Sequence, residues 1–150
     1  MPISFSKIDV RFIPTSRVVL KRWIKMVAER QGYRVGTIAY GFCSDAHIIE
    51  ANRRYLQHDY FTDIITFDYS QHGQLDGDLL ISIDTVRSNA DALGIPFSDE
   101  LHRVMIHGVL HLMGYNDSSD NEMIEMRAQE DGALNLLKAI FQEWNSAEGV

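Results

Sequence analysis

Apolar and polar residues alternate from Ile3 to Phe12, with Ile3 and Phe5 set against Ile8, Val10 and Phe12, so residues 3–12 are predicted as a strand. The period then lengthens. Val19, Leu20, Trp23, Ile24 and Val27 recur at helical spacing, which predicts a helix entered through Pro14-Thr15-Ser16 and stopped by Gly32. The stretch YRVGTIAYGFCS, rich in β-formers, predicts a second strand. Ser44 and Asp45 open a helix reaching about Leu56. DIITFDY is predicted as a short buried strand, QHGQLDG as a loop and DLLISI as a further strand. DTVRSNADALG reads as a helix closed by Gly94, with Pro96 blocking its continuation. Another helix runs from Ser98 to Gly114, and Ser119-x-x-Glu122 forms a capping box for a last helix reaching about Trp144. The order β-α-β-α-β-β-α-α-α predicts an α+β fold: a small mixed β-sheet of about four strands packed with about five helices. At 150 residues the chain is expected to form one domain, residues 1–150, able to bury a real core.

Composition adds limits. Apolar content of 45% and charged content of 23% are those of an ordinary globular protein. One cysteine, Cys43, rules out an internal disulfide, suits a reducing compartment and reads as a small buried apolar residue. MPISFSKIDVRF has no apolar run long enough for a signal peptide or membrane span, so a cytoplasmic protein without membrane contact is expected. The net charge of −7 argues weakly against a nucleic-acid partner. That charge is uneven. Residues 1–60 hold ten Lys/Arg against five Asp/Glu, and residues 61–150 hold four against sixteen. A basic N-terminal surface able to meet a polyanion is one reading; two solvated helix faces of different sign is the other.

The segment HGVLHLMGYND carries the candidate chemistry. Four helical residues turn the chain by about 400° and advance it about 6 Å, so His107 and His111 point the same way, one turn apart. Gly114 can adopt positive φ, end the helix and fold the chain back, bringing Asp117 toward the two imidazoles. Two imidazoles and one carboxylate leave a coordination position open, as a catalytic metal site requires. Asp117 has a second reading, as the N-cap of the next helix. Gly108 stands where H-E-x-x-H enzymes carry the glutamate that takes a proton from the bound water. A metal can lower the pKa of its water to about 7 without that base. Peptide hydrolysis is nonetheless disfavoured.

HGVLHLMGYND resembles the H-G-x-L-H-L-x-G-Y-D-H motif of the bacterial YbeY family, in which glycine holds the glutamate position. ANRRYLQHDYFTDIITF is similar to the family's L-N-x-x-Y-R-x-x-D-x-P-T-D-V-L-S-F, GDLLIS to its G-D-I-x-I-S, and MRAQED to its M-x-x-x-E segment. The resemblance covers about residues 50–132. It implies a metal-dependent endoribonuclease of ribosomal RNA processing and ribosome maturation, for which single-strand specificity is expected because single-stranded bases can stack on exposed aromatics and the backbone can bend into a cleft. It also implies a zinc ion (another divalent metal being an alternative) held by His107, His111 and Asp117, with ribosomal RNA and ribosomal proteins as partners.

Three departures from the family pattern stand out. Asp117 replaces the third histidine, which adds negative charge and favours a somewhat harder metal; two histidines with a carboxylate also match non-haem iron sites. Leu56 replaces an arginine suited to clamping phosphate, for which Arg53, three residues back on the same helix face, is the candidate substitute; an exposed, solvating arginine is the alternative. Thr66 replaces a serine and keeps its hydroxyl, and Phe61 replaces a proline. Arg53 and Thr66 are the expected substrate contacts, with Asn52 and Arg103 as further candidates. Two other functions fit less of the pattern. One is a metallopeptidase, whose skeleton H-x-x-x-H-x-x-G-x-x-D/H is shared. The other is a non-catalytic ribosome-assembly or RNA-binding factor with a structural metal.

Overall fold

A computed structural model describes residues 2–56 and 62–148. The elements follow the predicted order: β1 Ile3–Lys7, α1 Arg17–Arg30, β2 Arg34–Cys43, α2 Asp45–Ala51, a π turn Asn52–Leu56, β3 Ile64–Asp68, β4 Gln74–Ser82, α3 Ile83–Leu93, α4 Phe97–Leu112 and α5 Asp120–Glu148. The sheet order is β1-β2-β4-β3. β1, β2 and β4 are parallel and β3 is antiparallel to β4, so the sheet is mixed.

One face of the sheet carries most of the core. Ile38, Tyr40 and Phe42 of β2 and Leu75, Leu79 and Ile81 of β4 alternate toward a cluster completed by Trp23 of α1, Met105 and Val109 of α4, and Leu137 of α5. Cys43, Ile48, Ala51 and Ile65 form a smaller cluster beneath α2. Two polar groups enter the main core on satisfied hydrogen bonds. Trp23 Nε1 donates to the Ala133 carbonyl at 2.7 Å, and the Tyr40 hydroxyl to the Met105 carbonyl at 2.9 Å. Leaving either donor unpaired would cost about 1–3 kcal/mol.

α4 sits unusually close to the sheet. A Cβ on Gly108 would meet Ile64 Cδ1 at 2.8 Å and Leu79 Cδ1 at 3.1 Å, and one on Gly77 would meet the Phe67 carbonyl at 2.8 Å and Leu112 Cδ2 at 2.9 Å. The helix carrying the histidines therefore rests where two side chains are missing.

Several boundaries differ from the predicted ones. β1 ends at Lys7, because Asp9 turns away to accept from the Ser44 backbone N–H at 2.8 Å. The helix from Ser44 passes into a π turn at Asn52. α4 starts at Phe97 with Pro96 as its cap, one residue before Ser98. QHGQLDG is not all loop: His72 (φ 54°) and Gly73 (φ 76°) make a tight hairpin turn, and β4 begins at Gln74. The one aspartate there looks like a loop residue, but Asp76 Oδ1 accepts from Thr37 N, where β2 bulges between Val35 and Ile38. The last helix extends past Trp144 to Glu148. Phe61 lies outside the described residues.

Candidate metal centre

α4 presents His107 and His111 on one side, and its C-terminus folds back as the glycine predicts. Gly114 takes φ 102°. Its N–H donates to the His111 carbonyl and the Tyr115 N–H to the Leu110 carbonyl, closing the helix in a Schellman motif. Tyr115 and Tyr33 pin this turn, the first to Gln31 Oε1 at 2.6 Å and the second to the Met113 carbonyl at 2.9 Å. Asp117 is not the cap of α5. Ser119 takes that duty, its Oγ accepting from Glu122 N at 3.1 Å while the Glu122 carboxylate accepts from Ser119 N at 3.0 Å.

Three candidate ligand atoms converge. His107 Nε2 and His111 Nε2 are 3.0 Å apart. Asp117 Oδ2 lies 3.2 Å from the first and 3.5 Å from the second. A tetrahedral ion with bonds of about 2.0–2.1 Å separates its ligand atoms by about 3.3 Å, so these spacings fit one metal. The donor set, two imidazoles and a carboxylate, suits zinc and similar divalent ions.

His107 is braced from behind. Its Nδ1 meets Glu130 Oε2 of α5 at 2.6 Å; an N–H donated there leaves Nε2 its lone pair. Glu130 is only 4% exposed. Arg103 Nη1 donates to its other oxygen at 2.8 Å, and Arg103 Nη2 donates to Asp131 at 2.9 Å. Burial alone would push the His107 pKa down, but the bond and charge of Glu130, with the charges of Asp117 and Asp63, raise it overall. Burial would likewise raise Glu130, yet the bonds from His107 and Arg103 hold its carboxyl below the usual value.

The site opens onto a cleft of about 510 Å³ whose lining includes Asn52, Leu56, Asp63, Thr66 and Asn116 together with the three candidate ligands. Thr66 and Asn52 are thus brought to the site. Arg53 is not among the lining residues. The predicted shared face assumed α-helical spacing, but the segment is a π turn, in which positions three apart no longer align. Arg103 is not directed at substrate, since its guanidinium is committed to Glu130 and Asp131. Three acidic residues escaped the sequence reading. Glu130 is the glutamate of the quoted MRAQED segment and Asp63 precedes β3, so both lay in stretches already singled out. Glu100 gave no signal beyond first-turn acidity. A side chain at position 108 would point into β3 and β4, so it could not serve as a base at the cleft.

The chain matches the family model described as Endoribonuclease YbeY over residues 6–138. It is 51% identical over 136 residues to Endoribonuclease YbeY of Bacteroides thetaiotaomicron, covering 91% of this chain and 99% of that protein. It is 53% identical over 135 residues to the protein of that name from Phocaeicola vulgatus, covering 90% and 98%. The solution structure of TM1509 from Thermotoga maritima superposes with a TM-score of 0.65 at 23% identity, over 97% of this chain and 93% of that one, and shares the fold. A family model spanning most of the chain and relatives near half identity over nearly their full length lead to one conclusion: this chain belongs to the Endoribonuclease YbeY family.

Proposed function

We propose that this protein is a metal-dependent endoribonuclease acting on ribosomal RNA during ribosome maturation, in the cytoplasm, through one domain spanning residues 1–150. RNA as substrate follows from the activity in the name of its relatives. The observation that carries the reading is the convergence of His107, His111 and Asp117 on the wall of an open cleft. Zinc is the proposed ion. When bound, it supplies Lewis acidity to the phosphoryl group and to the attacking oxygen.

The chain's own residues do the rest. Glu130 orients His107, and the closed end of α4 holds Asp117 in place. Thr66 and Asn52 are assigned to hydrogen bonds with the sugar-phosphate backbone. Single-stranded RNA is the proposed form, because its splayed bases can stack on aromatic rings. Tyr55, 61% exposed on the π turn and edge-on to Phe67, and Tyr69, 58% exposed, offer such rings in a separate groove that they line with Phe67 and Leu80. No helix among the described residues is long and apolar enough to cross a membrane.

A second reading, an assembly factor that binds ribosomal RNA or ribosomal protein around a structural metal, is favoured by one observation. Among the described residues, no lysine or arginine lines the cleft. One experiment separates the two. Wild type and His111→Ala are purified without chelators, assayed for metal by plasma mass spectrometry, and tested on one RNA sequence as single strand and as duplex. About one zinc per chain, with cleavage of the single strand that His111→Ala loses, supports the nuclease. Rescue of ribosome maturation by metal-free His111→Ala at stoichiometric level supports the assembly factor.

A further inference from the structure

We propose that Asp63 is the proton acceptor of the cleavage reaction and that buried Glu100 behind it is its positioning residue. The inference rests on the nuclease reading above.

It starts from a gap. A nuclease of this kind gains from a base near the attacking oxygen, and Gly108 cannot supply one. Next to the cleft lies a second, partly open pocket of about 220 Å³, the inner cavity. Asp63, His107 and Asp117 line both. His107 and Asp117 are assigned to the metal, which leaves Asp63 as the remaining carboxylate on the shared wall. It stands at the entry to β3, across from α4, and enters from the sheet what the helix cannot provide.

Glu100 lines the inner cavity from the first turn of α4 and is 6% exposed. Its Oε1 has no hydrogen-bond partner among the described residues. A buried carboxylate oxygen left unpaired is costly and calls for an explanation, and the cavity has room for the water that would bridge it to Asp63. The charged groups around the pair are Arg103 and His107 of α4, Arg127 and Glu130 of α5, Asp117 of the returning loop and Asp68 at the cleft. Arg103 and Arg127 both pair with Glu130. The convergent ligand-type group found among the described residues is His107, His111 and Asp117; Asp63 and Glu100 stand outside it and face the same pocket. A pair suits a shared proton better than a second cation.

The step balances. As the new P–O bond forms, the proton of the attacking oxygen passes to the Asp63 carboxylate. As the ester P–O bond breaks, the same proton passes to the departing ribose oxygen, and Asp63 returns to its starting state. The balance holds for an attacking water or 2′-hydroxyl. Burial raises the pKa of both carboxyls; the charge of Asp63 raises Glu100 further, while Arg103 and Arg127 lower it. In the proposed step the resting proton of the pair is held by Glu100, which leaves Asp63 to accept one.

The test uses the full chain as wild type, Asp63→Asn, Glu100→Gln and Glu100→Leu. In Asp63→Asn, zinc content and RNA affinity are expected to hold, kcat to fall by about 100-fold or more, and the acid limb of the pH profile to vanish. Glu100→Gln should keep kcat within about threefold, because the amide mimics the protonated carboxyl, whereas Glu100→Leu moves the acid limb. A readout free of activity comes from metal-free protein. The carboxyl ¹³C signal of Glu100 should titrate above its ordinary range, and its midpoint should drop in Asp63→Asn. Zinc-loaded Asp63→Asn that cleaves within about threefold of wild type overturns the inference alone. So does loss of zinc in that variant, or a Glu100 midpoint that Asp63→Asn leaves unmoved. Zinc-loaded wild type that cleaves no RNA overturns the nuclease reading and this inference with it.

Discussion

His107 and His111 sit one turn apart on the same helix, yet they are held unequally. His107 backs onto Glu130, which is held in turn by Arg103, and Arg103 reaches Asp131. His111 meets the outer side of the site, where it faces His107 and the 45%-exposed Asp117. The inner ligand is fixed by a buried network that spans two helices. The outer corner is fixed by local backbone, through the Gly114 turn. A carboxylate stands at the exposed corner, where water solvates its charge, whereas a carboxylate in place of His107 would be set against Glu130.

The sharpest way to break this comparison is to remove each histidine. His107→Ala and His111→Ala should both lose the metal, but only His107→Ala takes a hydrogen-bond partner from buried Glu130, which is left with its arginines alone. Its thermal midpoint without metal should therefore fall below that of His111→Ala, by an amount corresponding to about 1–3 kcal/mol of stability. Equal midpoints would show that the two ligands are equally braced.

Glu130→Gln tests the network with a smaller effect. Metal affinity, read by chelator competition, should fall about 10–100-fold with the fold intact. The same variant removes a pH dependence. In metal-free protein the raised His107 contributes stability that is full below its ordinary value of 6.5 and is lost as pH rises through its folded value. The lowered Glu130 contributes stability that is full above its ordinary value of 4.5 and is lost as pH falls through its folded value. The pair therefore stabilises most between pH 4.5 and 6.5, and thermal midpoints of Glu130→Gln should lack that plateau. The smallest effect belongs to Asp117→His. At the exposed corner a third imidazole should keep the zinc within about tenfold in affinity, and a larger loss would mean that Asp117 is held more tightly than its exposure implies.

What the sequence disclosed follows the range of each interaction. The element order, the paired histidines, the Gly114 turn and the Ser119–Glu122 capping box are encoded within a few residues and were readable. Glu130 is 23 residues from His107 in sequence, and its contact exists only because α5 crosses α4 at that height. Its place in a family-like segment pointed to importance but not to a partner. The pairing of Arg103 with Glu130 and Asp131 was hidden for the same reason, since what claims a guanidinium on a helix face depends on the next helix. The position of Arg53 off the cleft lining turns on a local matter, the π turn, which no residue between Asn52 and Leu56 announces. Asp76 made a strand look like a loop because its partner, the bulge in β2, is 39 residues away.

The two glycines where α4 meets the sheet have a further consequence. Gly108 of the helix faces the side-chain ends of Ile64 and Leu79, and Gly77 of β4 faces Leu112 and the Phe67 carbonyl. Together they act as a datum from which Asp63, Thr66 and the two imidazoles are measured. A side chain at Gly108 has only side-chain ends to push aside, whereas one at Gly77 has the backbone of β3 to displace, so the glycine in the sheet is the stricter of the two gauges.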